Sequence, residues 1–152
     1  MINTFRTIPK ALFRLSYGRE INLRPWSLQR QTSFDVRPDS QGLVRPKALT
    51  QRPPNGASMR PNTTIQQNLL KRMKGQNVVV YSVAEGVVLP NDLIIVHERG
   101  DHYSLQATVP MSVEQLSAKI TTFLQRSSTV LTKEQFIHYY PQATDTSDKG
   151  KV

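Results

Sequence analysis

The chain predicts an α+β domain with a largely antiparallel or mixed sheet. Three observations carry that prediction. Helical and extended segments do not alternate strictly, so a doubly wound parallel sheet is not expected. The extended segments are short β-branched runs, as in Val78-Val79-Val80 and Leu93-Ile94-Ile95-Val96. The helical segments each begin at a Ser or Thr followed three residues later by Gln, the spacing of a capping box.

In chain order, Leu12 to Ser16 is short and apolar and runs into Tyr17-Gly18, which reads as a first strand ending in a turn. Ile21-Asn22-Leu23 alternates and is expected to pair with it. From Arg24 to Pro61, Arg-Pro recurs at 24–25, 37–38, 45–46, 52–53 and 60–61. Each proline fixes φ, lacks a donor and holds the preceding residue extended, so no long helix is expected. One short strand is expected near Ser33 to Val36. Thr63 to Lys74 is the first helix, with Ile65, Leu69 and Met73 on one face and Gly75 at its stop. Val78 to Val83, Leu93 to His97 and His102 to Ala107 read as strands, the last two joined by a turn at Gly100-Asp101. Ser112 to Arg126 is the second helix, striped with Val113, Leu116, Ile120, Phe123 and Leu124. Thr132 and Gln135 open a short third helix that Pro141 ends.

A length of 152 residues argues for one domain. There is no cysteine, so disulfides and thiolate zinc sites are excluded. Three histidines without Glu-x-x-His or His-x-His spacing predict no metal site. The net charge of +9 suits a polyanionic partner: nucleic acid, anionic membrane or an acidic protein. No apolar run is long enough for a transmembrane helix, and no membrane partner is expected. Met1 to Arg19 is basic and free of acids, in the manner of a weak mitochondrial transit peptide. Leu12 to Leu15 reads as part of the fold, which leaves little length for one. The site of action is expected to be cytoplasmic.

Three places hold residues suited to chemistry. Arg14 ends an apolar strand, where a guanidinium can grip a phosphate by two parallel hydrogen bonds. Pro54 to Pro61 is a small-residue loop; Gly56 and Ala57 let a ligand approach the backbone, and Ser58 offers a hydroxyl. The helix start near Asn62 adds partial positive charge that favours a phosphate. His102 and Tyr103 open a strand after a turn, so one faces the core and the other a cleft or solvent. A histidine in a cleft can donate a hydrogen bond or act as acid or base near neutral pH. On local sequence each of these is also an ordinary strand end, turn or structural histidine. No Walker loop, nucleophile elbow or dinucleotide glycine fingerprint is present.

Leu89-Pro90-Asn91-Asp92-Leu93, His102-Tyr103-Ser104-Leu105 and Pro110-Met111, followed by an amphipathic helix, resemble the C-terminal half of the type VI secretion exported effector two toxins. Leu12-Phe13-Arg14 is similar to that family's Leu-Tyr-Arg opening strand. Asn55-Gly56-Ala57-Ser58 stands where the family has Gly-Gly-Thr-Ser. The resemblance covers most of residues 12 to 126 and implies an ADP-ribosyltransferase-like fold, with a split mixed β-sheet, flanking helices and NAD across the sheet. It implies an intracellular toxin that transfers ADP-ribose from NAD or hydrolyses NAD.

Under that resemblance His102 and Ser58 are the catalytic positions, and Arg14, Ser58, Gly56 and Tyr103 contact NAD. Two departures stand out. The family's essential threonine falls on Ala57, so either Ser58 supplies the hydroxyl or the alignment slips by one. No Gln-x-Glu or Glu-x-Glu occurs late in the chain, and neither Glu98 nor Glu114 has the expected setting. The implied partners are NAD, a macromolecular acceptor and an acidic immunity protein. The expected layout is an extension at 1–11, the toxin domain at 12–141 and a disordered tail at 142–152. A basic nucleic-acid-binding or interaction module, or an inactive member of the same fold, is the competing reading.

Overall fold

The computed structural model describes residues 3–29, 31, 33–47 and 55–149. The dipeptide at 52–53, the first residue of the loop 54–61 and the last three residues of the tail lie outside them.

A four-stranded antiparallel sheet has the order β1 (Asn3–Phe5), β6 (Leu93–Arg99), β7 (His102–Ala107), β4 (Ala57–Met59). A three-stranded antiparallel sheet has the order β2 (Leu12–Tyr17), β5 (Val78–Val83), β9 (Thr129–Thr132). The two meet where Phe13 bridges Arg60. A small pair, β3 (Leu43–Val44) with β8 (Met111–Ser112), closes one side. The helices are α1 (Thr64–Arg72), α2 (Val113–Ser127) and α3 (Lys133–Tyr139). This is an α+β architecture with its sheet split in two.

Residue phase along the strands builds two cores. On one face of the three-stranded sheet Leu12, Tyr81 and Val83 join Met59, Ile95 and Leu105 of the larger sheet, against Leu116, Ile120 and Leu124 of α2. On the other face Phe13, Val78 and Val80 pack with Leu70 of α1 and Phe136 of α3. Phe13 meets the Phe136 ring edge-on at 5.2 Å. A strand covered on both faces needs apolar residues at successive positions, which is why Val78 to Val83 lacks alternation. The helices α2 and α3 start at complete capping boxes, Ser112 with Gln115 and Thr132 with Gln135.

Several expectations fail for identifiable reasons. Ile21 to Leu23 is no strand: its inward residues are buried, but the backbone N–H groups of Ile21 and Leu23 donate to Thr121 Oγ1 (2.9 Å) and Ser117 Oγ (3.1 Å) on α2. The stretch at Ser33 to Val36 shrinks to one parallel bridge between Val36 and Pro25; proline has no N–H with which to extend the ladder. In α1 the buried face carries Gln66, Gln67 and Leu70, while Ile65 is 41% exposed. Buried glutamines, of which Gln67 bonds both Asn62 and the Tyr140 carbonyl, defeat a rule that looks for apolar spacing. The expected extension at 1–11 contains β1 and the buried Ile8. The tail is tied down over 142–149: Thr144 and Asp145 donate from the backbone to the Asn62 carbonyl, and Lys10 pairs with Asp145 at 3.1 Å.

Candidate active site

Strand β4 lies antiparallel to β7 with Ser58 opposite Ser104. The pleat sends Ala57 and Met59 into the core and Ser58 to the other face. His102 and Ser104 share that face with it. The β6–β7 hairpin turns at Gly100, whose φ of 48° is a left-handed conformation that glycine tolerates. The ladder slips between His97 and Arg99, leaving Glu98 as the extra residue of a bulge. His97 faces Tyr103 across the ladder, so strand alternation sets the next residue, Glu98, on the face of His102, and the slip brings Arg99 opposite His102 as well.

The result is a chain of contacts from the sheet interior to the cleft. Gln106 Nε2 donates to Ser104 Oγ (2.7 Å), and Ser104 Oγ donates to Glu98 Oε1 (3.2 Å). Glu98 Oε2 lies 2.6 Å from His102 Nδ1, with the ring N–H off the line to that oxygen. His102 Nε2 lies 2.9 Å from Ser58 Oγ. Arg14 Nη1 donates to the Ser58 carbonyl at 3.1 Å. Burial pushes the Glu98 carboxyl up, but His102, Ser104 and Arg99 together hold it below its ordinary value.

Ser58 and Arg14 open into a cleft of about 500 Å³, within the usual range for small-molecule sites. Arg24 and Arg60 also line it, with Asp35 between the charges. Arg24 grips Asp35 through Nε (3.1 Å) and Nη2 (3.2 Å). Arg14 has no such clamp: its Nε is buried without a partner. Burial lowers its pKa, Asp35 opposes that, and Arg24 and Arg60 add to it. A desolvated guanidinium with a spare donor suits an anionic ligand. Leu15, Leu69 and Met73 supply an apolar wall; of the expected α1 core stripe, Leu69 faces the cleft, while Met73 both lines it and packs against the second core.

Arg14, Ser58 and His102 therefore meet, although Ser58 is 44 residues from each of the other two. Two expected contacts do not join them. Tyr103 points into the core, 4% exposed and stacked on His97 at 4.3 Å; strand alternation cannot put it beside His102. Gly56 serves the sheet: a Cβ there would lie 2.2 Å from the Leu105 carbonyl oxygen, so its missing side chain admits a neighbouring strand and not a ligand. The start of α1 is also taken, since Asp148 Oδ2 accepts from the Ile65 N–H at 2.9 Å. In the sequence Glu98 lacks the Gln-x-Glu or Glu-x-Glu setting expected of a catalytic glutamate, yet the structure places it beside His102. Counting back across a Gly100-Asp101 turn from His102 would have reached Arg99 and the bulged residue beside it.

A split antiparallel sheet with flanking helices is the architecture of an ADP-ribosyltransferase-like α+β domain. Residues 10–136 match the family model described as Tse2 ADP-ribosyltransferase toxin, and the chain belongs to that family. No curated protein matches the chain.

Proposed function

We propose that this chain is a toxin that cleaves NAD at the nicotinamide ribose and passes ADP-ribose to a macromolecular acceptor or to water. The observation that carries this reading is the junction of Ser58 Oγ with His102 Nε2 at 2.9 Å, with Ser58 and Arg14 lining one cleft. Family membership supplies the reaction class, and the cleft supplies groups that suit the substrate. Arg14 and Arg60 offer charge-assisted donors to a pyrophosphate. Ser58 hydrogen-bonds the nicotinamide ribose, and His102 holds the Ser58 hydroxyl in place. The apolar wall of Leu69 and Met73 suits a heterocycle. Positive charge develops at the anomeric carbon as nicotinamide departs, and preorganised polar groups lower that barrier.

The test is free nicotinamide released from NAD by the purified protein. His102→Ala is expected to lower the rate on the order of a hundredfold or more, and Arg14→Ala to raise the NAD concentration needed. Wild-type protein that neither binds NAD nor releases nicotinamide would refute the proposal. The net charge of +9 favours a second reading, a nucleic-acid binder. Such a protein would lose affinity steeply with salt and ignore His102→Ala.

A further inference from the structure

We propose that Glu98 is a positioning residue that turns the His102–Ser58 pair into a proton relay directed at the substrate. The inference rests on the NAD reading and adds a residue to it. It follows from three observations on one face of the sheet.

First, Glu98 Oε2 and His102 Nδ1 lie 2.6 Å apart. Two lone pairs at that distance repel, so one of the two atoms carries a proton, even with the ring N–H off the direct line. A carboxylate is a much weaker base than an imidazole, so the proton resides on Nδ1. A neutral imidazole then presents a bare lone pair at Nε2, and Ser58 O–H donates to it. The Ser58 lone pairs are thereby left facing the cleft, which Ser58 lines and His102 does not.

Second, Glu98 is held from its other oxygen. Ser104 donates to Oε1, and Gln106 donates to Ser104. The pairing of His97 with Tyr103 sets Glu98, the next residue of β6, on that face. Third, this polar run is 1% and 2% exposed at Ser104 and Gln106. Buried polar groups lower stability unless fully bonded, and Gln106 Oε1 is buried with no partner. Packing alone would be met by apolar residues, as it is on the opposite face.

The step is balanced. A ribose hydroxyl gives its proton to Ser58 Oγ as Ser58 gives its own to His102 Nε2. The imidazolium so formed is held by the Glu98 carboxylate, and the electron pair left on the ribose oxygen offsets positive charge at the neighbouring anomeric carbon. When the ribose is consumed the protons return along the same path.

The test uses full-length protein labelled with ¹⁵N in histidine. Wild type is expected to show His102 as the single Nδ1–H tautomer. Glu98→Gln is expected to mix the tautomers and to lower kcat for nicotinamide release by about a hundredfold or more, with KM for NAD within about twofold. Glu98→Asp keeps the charge but withdraws it, and is expected to lose kcat to a smaller degree at unchanged KM; it serves if the glutamine variant does not fold. An Nε2–H tautomer in wild type, or kcat unchanged in a folded Glu98 variant, would overturn the relay while leaving NAD cleavage standing. Absence of nicotinamide release from wild type would remove the NAD reading, and the ring tautomer would still decide the role of Glu98.

Discussion

The two faces of β7 are one residue out of phase and opposite in chemistry. Tyr103, Leu105 and Ala107 enter the main core. His102, Ser104 and Gln106 line up as a polar chain that ends at Ser58 and the cleft. The first face accounts for stability. The second opposes it, because amide, hydroxyl and carboxylate groups leave water for a site where each must find a partner. A strand that carries both in alternation shows how a small domain supports a desolvated site: each buried polar residue is flanked by two that hold the sheet in place.

That contrast can be broken from either side. Leu105→Ala, at a position with no exposure, is expected to cost about 2–5 kcal/mol in urea unfolding, with nicotinamide release per folded molecule nearly intact. Loss of activity at unchanged stability would contradict the assignment of the two faces. Arg14→Met should do the reverse. It removes a buried guanidinium with an unpartnered Nε, so stability is expected to stay within about 1 kcal/mol or rise. NAD affinity by calorimetry is expected to fall about tenfold or more.

Acid sharpens the comparison further. The Glu98 carboxyl sits below its ordinary value in the fold, so the unfolded chain takes up that proton more readily. The stability Glu98 contributes is complete above the unfolded carboxyl's range and is lost as pH falls through the lower, folded value. The stability of wild type relative to Glu98→Gln is thus expected to shrink below about pH 4. A difference constant between neutral and strongly acid pH would contradict this. The smallest effect belongs to a site on neither face. Ser112→Ala removes the hydroxyl that caps α2 at Gln115, and should cost about 1 kcal/mol in thermal unfolding with no change in the NAD reaction.

Much of the local structure was legible residue by residue. Val78 to Val83 and His102 to Ala107 reappear as strands, and Ser112 and Thr132 cap helices where their spacing to Gln115 and Gln135 placed them. Less legible were elements whose partners come from afar. Asn3–Phe5 is a strand because β6 offers an edge, and Met111–Ser112 because Leu43–Val44 lies opposite. Residues Ile21 to Leu23 have a strand's alternation, yet helix hydroxyls satisfy their backbone. The buried face of α1 escaped a reading by apolar spacing because glutamines occupy it.

The candidate site divides in the same way. Hydrophobic phase, capping and turn chemistry act over a few residues, so a linear reading recovers Arg14 on a strand and His102 at a hairpin; Ser58, expected in a loop, lies in β4 because β7 offers that segment an edge. Which of these face one another depends on strand order and register. Those follow from burial summed over both cores, and no short window contains that sum. Glu98 is the sharpest instance. The register of β6 against β7 brings its carboxylate beside His102, and only the pairing of the two strands sets that register. Tyr103 and Gly56 complete the lesson: the identity of each is plain in the chain, but the side of the sheet and the neighbour that define their roles exist only once the strands have paired.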